Sequence, residues 1–201
     1  PTPAFGSVQP GDVKYRDLDK NGVVDQNDVT QVGKSPFPEW YFSFGGKIAW
    51  MGFDLEVLFQ GAAGMSVNIL DNKNQVVAFV NNGNAYDIAK GAWAYYPEQG
   101  IDTRATATYP RLTTQSNENN YQTSSMWVKN ADYLKLRNLE LGYNFNALKL
   151  QRAGVDNLRV YLSAQNLLTF SGLLKHYNMD PEKISGYPTI KSYNVGVSIT
   201  F

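Results

Sequence analysis

The sequence predicts an all-β protein whose strands are the carboxy-terminal strands of a large antiparallel transmembrane β-barrel. Three observations support this prediction. Several segments alternate between apolar and polar residues, the polar positions carry mainly uncharged side chains, and short connections alternate with long ones. Alternation is typical of strands that face two different environments, and uncharged polar residues are typical of the lining of a wide aqueous barrel.

The composition of the chain excludes several other classes of protein. It has 201 residues, with 18 basic and 18 acidic side chains, one histidine and no cysteine. Because there is no net positive charge, the chain lacks the electrostatic footprint of a nucleic-acid-binding protein. Because there is no cysteine, it can form neither disulfides nor cysteine-based zinc sites.

The first two strands are predicted at about 39–50 and 53–61, joined by a short turn. The apolar face of the first strand begins at Trp40 and ends at Trp50. At about 3.3 Å per residue, the two rings lie about 33 Å apart along the strand. A strand tilt of about 40° reduces this to about 25 Å, the height of the apolar band between the aromatic girdles of an outer-membrane barrel. We therefore predict that Trp40 and Trp50 are girdle residues in contact with outer-membrane lipid.

Three further strands are predicted at about 132–145, 157–167 and 190–201, with a brief helix over 147–153. Long extracellular loops are predicted at 62–131 and 168–189, and the short turns are predicted to be periplasmic. Five strands leave two open sheet edges, and unpaired backbone groups are not tolerated in hydrocarbon. The remaining strands of the same barrel are therefore expected partners of this sheet.

Residues 1–38 are predicted to form an extracellular segment that contains a calcium loop at 17–28. Oxygen-bearing side chains stand at positions 1, 3, 5, 9 and 12 of this window, and Gly22 stands at position 6. Calcium takes about six to eight oxygen ligands, and the glycine permits the sharp turn that brings the early ligands together. The predicted ligands of a structural Ca²⁺ are Asp17, Asp19, Asn21, the Val23 carbonyl, Asp25 and Asp28. The alternative is an Asp- and Asn-rich turn that binds no ion.

Aromatic residues in the long loop are the candidates for substrate binding. Trp93, Tyr95 and Tyr96 occur together in a segment that is otherwise rich in small and polar residues. They could stack on sugar rings or contact a lid, or they could form a small core of the loop itself.

Two other functions are weighed against the barrel. A soluble, secreted, calcium-containing β-sandwich that binds carbohydrate would also show alternating strands. An enzyme would need a catalytic group, and His176 is the only histidine; it lies in a loop without a serine elbow. Asp54 and Glu56 share a polar face, where an ordinary channel lining is the simpler role than a glycosidase pair. We therefore predict a protein that is not an enzyme.

With these features in place, the chain resembles the carboxy-terminal end of the SusC/RagA family of TonB-dependent outer-membrane transporters. The resemblance is weakest over 63–125. It rests on stretches that occur in order along the chain: GDVKYRDLDKNG at 11–22, GFDLEVLFQG at 52–61, YLKLRNLELGY at 133–143, LRVYLSAQNL at 158–167, and the closing strand to Phe201.

This resemblance implies a nutrient importer in the outer membrane of a Gram-negative bacterium. It implies a barrel of about 22 strands with an amino-terminal plug. The plug and the remaining strands would belong to the rest of the same protein. It further implies a SusD-like lipoprotein lid, oligosaccharide or peptide cargo, and TonB acting through the amino-terminal part. The terminal Phe201 resembles the signal that the barrel-assembly machinery reads, although it could equally be an ordinary lipid-facing residue.

Overall fold

A computed structural model describes residues 1–145 and 154–201, and the helix predicted at 147–153 lies outside the described residues. The chain divides into two compact units. The sheet unit comprises Ser35–Ser66 and Asn130–Phe201, and the loop unit comprises Pro1–Lys34 and Val67–Lys129.

The sheet unit is built on one antiparallel five-stranded sheet, so the predicted all-β fold class is confirmed. The order across the sheet is β11-β10-β9-β4-β3. A short α-helix, α2, follows β10; the Ser171 hydroxyl accepts a hydrogen bond from the Leu173 amide at its start. The elements are β3 (Trp40–Trp50), β4 (Phe53–Ala63), β9 (Tyr133–Asn144), β10 (Asn157–Ser171), α2 (Gly172–Tyr177) and β11 (Ser192–Thr200).

Strand β10 continues to Ser171, so the prediction that a loop begins at 168 is wrong. The apolar alternation is interrupted after Gln165, and for this reason the predicted strand ends close to that point, at 167. The structure instead has a bulge between Gln165 and Leu168, with Asn166 at a φ of 53°. Beyond the bulge, Leu168 pairs with Leu136 and the ladder resumes. A bulge adds residues on one strand without ending the pairing.

One face of the five-stranded sheet is apolar and exposed. On β3, Trp40 and Trp50 are 69% and 68% exposed, and Ile48 between them is equally open. Leu141 on β9 and Val195 on β11 lie on the same face and are also exposed. A β-sandwich would bury such a face against a second sheet. The exposed face therefore argues against the soluble alternative.

The loop unit contains short elements within the segments predicted as an extracellular segment and a long loop. Single-turn 3-10 helices connect its strands, and β5 (Ser66–Asn68) pairs with β8 (Val128–Asn130). Among the described residues, no helix has both the length and the apolar character needed to cross a bilayer. The elements are β1 (Thr2–Pro3), β2 (Val23–Val24), β5 (Ser66–Asn68), α1 (Lys73–Val76), β6 (Tyr95–Tyr96), β7 (Ile101–Asp102) and β8 (Val128–Asn130), with 3-10 turns at Ile69–Asn72, Val80–Asn82, Asp87–Gly91, Pro97–Gln99 and Glu118–Tyr121.

The amino-terminal segment and the long loop share one set of buried polar contacts. The Asp12 carboxylate accepts hydrogen bonds from the side-chain amides of Asn117 and Asn120 at 3.0 and 2.9 Å. Arg111 Nε lies 2.7 Å from the same carboxylate, and the Tyr15 hydroxyl donates to a carbonyl of the long loop. The two segments, which the sequence analysis treats separately, therefore form one folded body.

Trp127 is the centre of the core of the loop unit. Its side chain is 1% exposed, and its indole Nε1 donates to the carbonyl of Asn120 at 2.8 Å. The Tyr109 ring meets it edge-on with the centroids 5.7 Å apart, and the Tyr109 hydroxyl donates to the Val76 carbonyl. This buried tryptophan holds both the 76–80 region and the 117–121 turn.

We expect Trp127→Ala to unfold the loop unit selectively. Loss of a buried tryptophan costs about 3–5 kcal/mol, because it removes apolar contact and leaves a cavity. Hydrogen exchange of amides in 67–129 should therefore accelerate by at least about a hundredfold, since about 1.4 kcal/mol corresponds to a factor of ten. Exchange in β9 and β10 should not change. Tyr96→Ala, which removes an exposed aromatic ring of the same unit, is the matched control.

Candidate functional site

Three of the predicted calcium ligands converge in the structure. Carboxylate oxygens of Asp17, Asp19 and Asp28 lie within 4.8 Å of one another. Oxygens that coordinate one Ca²⁺ at about 2.3–2.6 Å are separated by distances of this order. The loop therefore brings together the first, third and twelfth positions of the window, as a calcium loop requires.

Local hydrogen bonds hold these carboxylates in place. Asp28 accepts from the amides of Leu18 and Asp25 at 2.6 and 2.9 Å. These backbone hydrogen bonds lower the pKa of Asp28 below its usual value, because they stabilise the charged form. Asp17 accepts from the Gly22 amide at 2.9 Å, and Gly22 has a φ of 89°, which suits glycine.

The donor set fits a cation, although two predicted ligands have other partners. Asp17 Oδ1 is buried and has no hydrogen-bond partner, so a buried carboxylate oxygen is left for an ion. The Asn21 side-chain oxygen accepts from the Val23 amide, and Asp25 Oδ1 accepts from the Asn27 amide. Asp25 is not part of the cluster of converging carboxylates. A calcium loop commonly reaches the ligand at this position through water.

The three candidate aromatic residues of the long loop have different surroundings. Trp93 is half-buried, and its ring packs so closely on Gly11 that a Cβ there would lie 2.5 Å from the indole. The Arg104 guanidinium carbon lies 3.7 Å from the centroid of Tyr95 and covers that face. Tyr96 is exposed. Trp93 thus contributes to the packing of the loop unit, and Tyr96 is the most open of the three.

The predicted girdle residues lie on the exposed apolar face, and the predicted terminal residue lies just beyond the sheet. Trp40 pairs with Ala63, and Trp50 pairs with Phe53 at the opposite end of the same strand pair. Phe201 follows the end of β11 and is exposed. The assembly role of Phe201 and the lipid contact of the two tryptophans remain predictions.

The opposite face of the sheet carries an ionic cluster that the sequence analysis did not predict. Arg159 on β10 donates through Nε to Asp54 Oδ2 at 3.0 Å and through Nη2 to Glu140 at 2.7 Å. Asn144 also donates to Asp54, whose side chain is almost fully buried. Asp54 is held in this cluster, whereas Glu56 lies 3.6 Å from Lys47. The two carboxylates are thus separately paired, which fits a structural role.

A second cluster holds the connection between α2 and β11 to this polar face. Lys135 of β9 is only 1% exposed, and its Nζ lies 2.8 Å from Asp180 and 2.6 Å from Glu182. Arg137 also pairs with Glu182, and the Tyr133 hydroxyl donates to Glu182 at 2.8 Å. Burial acts to raise the pKa of Asp180. Hydrogen bonds from Lys135 and Thr189 outweigh this effect and lower the pKa to about 2.

His176 lies in the last turn of α2 and is exposed. Its ring contacts Tyr177 with the centroids 6.4 Å apart. No hydroxyl nucleophile is bonded to it among the described residues.

Comparison with known proteins shows which sequences this chain is similar to. No model of a protein family matches the chain. TonB-dependent receptor P3 of Formosa agariphila is 25% identical over 213 residues, which cover 98% of this chain and 20% of that receptor. The TonB-dependent receptor SusC of Bacteroides thetaiotaomicron is 27% identical and covers 93% of this chain and 17% of SusC. The chain spans about a fifth of the length of the curated relatives that it matches.

Solved structures give the same result for the fold. The structure of the RagAB peptide transporter matches this chain with a TM-score of 0.65 and 25% sequence identity. The match covers 86% of this chain and 18% of the transporter chain. The RagAB peptide importer in its open-open state matches with a TM-score of 0.60 and 26% identity. The predicted resemblance is therefore confirmed: over nearly its whole length, the chain matches TonB-dependent receptors of the SusC/RagA family in sequence and in strand arrangement.

Proposed function

We propose that this chain is the carboxy-terminal part of a TonB-dependent importer in the outer membrane of a Gram-negative bacterium. The observation that carries the proposal is the five-stranded sheet with one exposed apolar face and one ion-paired polar face. Such a sheet suits a barrel wall between lipid and an aqueous interior. The similarity to TonB-dependent receptors supports the same assignment.

The whole importer would consist of this chain together with a longer amino-terminal part of the same protein. That part would supply the plug, the TonB contact and the other strands of a barrel of about 22 strands. Because relatives of this kind are described as receptors and transporters, we propose no enzymatic activity for the chain.

The cargo is proposed to be an oligosaccharide or a peptide, captured under a SusD-like lipoprotein lid. One matched structure is described as a peptide transporter, which supports the peptide alternative. Exposed Tyr96 could contact either cargo, because aromatic rings stack on sugars and on peptide side chains alike. Cargo binding would then rest on stacking and on amide or hydroxyl hydrogen bonds.

Purification and uptake experiments test this proposal. The full-length protein isolated from native membranes should require detergent and should carry a lipoprotein with it. Uptake of a labelled oligosaccharide mixture or of a labelled peptide mixture should stop when its gene or the TonB gene is deleted. A species of 22.5 kDa that is monodisperse in plain buffer would instead favour the soluble carbohydrate-binding alternative.

We also propose that residues 17–28 bind a structural Ca²⁺. Asp17, Asp19 and Asp28 would hold the ion directly, and Asn21, the Val23 carbonyl and Asp25 would complete the ligand set. The unpartnered Asp17 oxygen supports this proposal. The ion would offset the repulsion between three neighbouring carboxylates and stabilise the loop 17–28, which contains β2.

A further inference from the structure

A groove lies on the sheet unit at the end where the long connections leave the strands. Its volume is about 690 Å³, within the range of ligand pockets, and most of its lining is apolar. Residues at the ends of β4 and β10, the residues just before β9, and α2 all contribute to it. The groove shares Tyr133 with the ionic cluster around Lys135, because the hydroxyl of this tyrosine donates to Glu182.

Part of the groove wall, formed by Phe42, Ala63 and Phe170, belongs to the exposed apolar face, whereas Ala62, Tyr133, Thr169 and Ser171 lie by register on the opposite face. Phe42 pairs with Gly61. Gly61 and Phe170 both pair with the same residue of β9, so Phe42, Gly61 and Phe170 lie on one face of the sheet. The Phe42 ring lies directly over Gly61, where any side chain would collide with it. Beyond Gly61 the next residue of the strand on this face is also small, Ala63, which pairs with Trp40. Small residues between two aromatic rings leave the space that forms the groove.

The height of the groove on the sheet coincides with the aromatic girdle. Ala63, which lines the groove, pairs directly with Trp40. Tryptophan side chains of membrane proteins concentrate at the level of the lipid headgroups. At the proposed outer-membrane location, the groove would therefore begin at the level of the headgroups and continue along the face that would contact acyl chains.

The rim of the groove carries one available positive charge. Lys175 of α2 lines the groove, is exposed, and has no ion pair with any of the described residues. Asp132 lies at the same rim, but its Oδ1 already accepts from the amides of Gly64 and Met65 and its Oδ2 accepts from Asn130. The cation at the rim is thus free to pair with an anion from outside the chain.

We propose that this groove holds an acyl chain of a phosphorylated lipid of the outer leaflet, with the lipid phosphate at Lys175. The inference rests on the proposed outer-membrane location. Apolar burial alone cannot select this lipid, because lipid tails are as apolar as the groove. The selection comes from the phosphate, which meets Lys175 at the membrane surface, while the groove admits the attached chain.

Lipid retention by the full-length importer tests the proposal. The protein would be placed in phosphatidylcholine nanodiscs containing a small fraction of lipid A or of dephosphorylated lipid A, and native mass spectrometry would count bound molecules. We expect about fivefold preference for lipid A in the wild type, the size typical of one lysine at a charged membrane surface. Lys175→Ala should abolish this preference, and Lys191→Ala, an exposed lysine just before β11, should retain it.

A second pair of variants tests the groove itself. Ala63→Trp should fill the groove and lower retention of both lipids, whereas Ile48→Trp adds the same ring elsewhere on the apolar face and should not. Excess inorganic phosphate should fail to displace lipid A if the acyl chain is held as proposed. Equal retention of both lipids by the wild type, or an unchanged preference in Lys175→Ala, would overturn the inference. Cargo uptake, measured in the same variants, separates the two proposals. If the lipid preference is absent but uptake continues, only the lipid site is wrong and the proposed import function stands.

Discussion

Lys135→Met is expected to release the connection between α2 and β11 from the polar face of the sheet. The lysine is buried and is paired with two carboxylates, Asp180 and Glu182. Methionine has a similar length but no charge, so Asp180 would lose its ion pair with Lys135, and Glu182 would keep only its pair with Arg137. Removing one partner of a buried ion pair costs about 3–5 kcal/mol.

Amide hydrogen exchange gives a direct measurement of this release. The amides of Glu182 and Thr189 both donate to the Asp180 carboxylate in the docked connection, at 3.0 and 2.8 Å. Their exchange should accelerate by at least about a hundredfold in Lys135→Met, as expected for a loss of about 3 kcal/mol. The matched control is Lys191→Met, because Lys191 is exposed in the same region. Unchanged protection of both amides would show that the lysine does not hold the connection.

Acidification should release the same connection. The pKa of Asp180 in the folded protein is lowered to about 2. A lowered pKa stabilises the docked form above the ordinary aspartate pKa of about 4, and this contribution disappears as the pH falls towards 2. Exchange of the Thr189 amide, corrected for its intrinsic pH dependence, should therefore accelerate between about pH 4 and pH 2. Asp180→Asn should weaken this transition and leave only the contribution of Glu182. Burial acts to raise the pKa of Glu182, but hydrogen bonds from Lys135, Tyr133 and Arg137 outweigh this effect and lower the pKa.

Calcium removal is expected to loosen the amino-terminal segment without affecting the sheet. An ion that binds only the folded loop stabilises it by about 2.7 kcal/mol at a hundredfold excess over its Kd. Addition of EGTA should then accelerate exchange in residues 10–35 by about a hundredfold, because the three converging carboxylates lose their counter-charge. Exchange in β9 and β10 should remain slow.

Variants of the loop distinguish a calcium site from an acidic turn. Asp17→Asn keeps the shape of the side chain but removes charge from the unpartnered oxygen, and it should accelerate exchange as EGTA does. Asp71→Asn removes one exposed carboxylate from the 3-10 turn at Ile69–Asn72 and serves as the control. If EGTA leaves the exchange of 10–35 unchanged, the calcium proposal is wrong.

The β3–β4 hairpin follows directly from residues that are close in sequence, whereas β4 and β9 pair across about 80 residues. Alternation from Trp40 to Trp50 predicts both faces of β3, and the turn at Met51 and Gly52 has the positive φ angles that a tight hairpin needs. The bulge after Gln165 could not be predicted in the same way. A bulge interrupts the period of two, and only pairing with Leu136 on β9 shows that the strand continues.

Local sequence patterns predict the all-β class, the two unlike faces of the strands, the acidic loop and the resemblance to TonB-dependent receptors. Each depends on spacing within a short segment, where backbone geometry fixes which residues lie together. The folded structure alone shows that Lys135 meets Asp180, 45 residues away, and that the Val13 amide donates to Asn120, 107 residues away. The buried charges and the composition of the loop unit depend on such distant partners, and local periodicity carries no information about which distant segments meet.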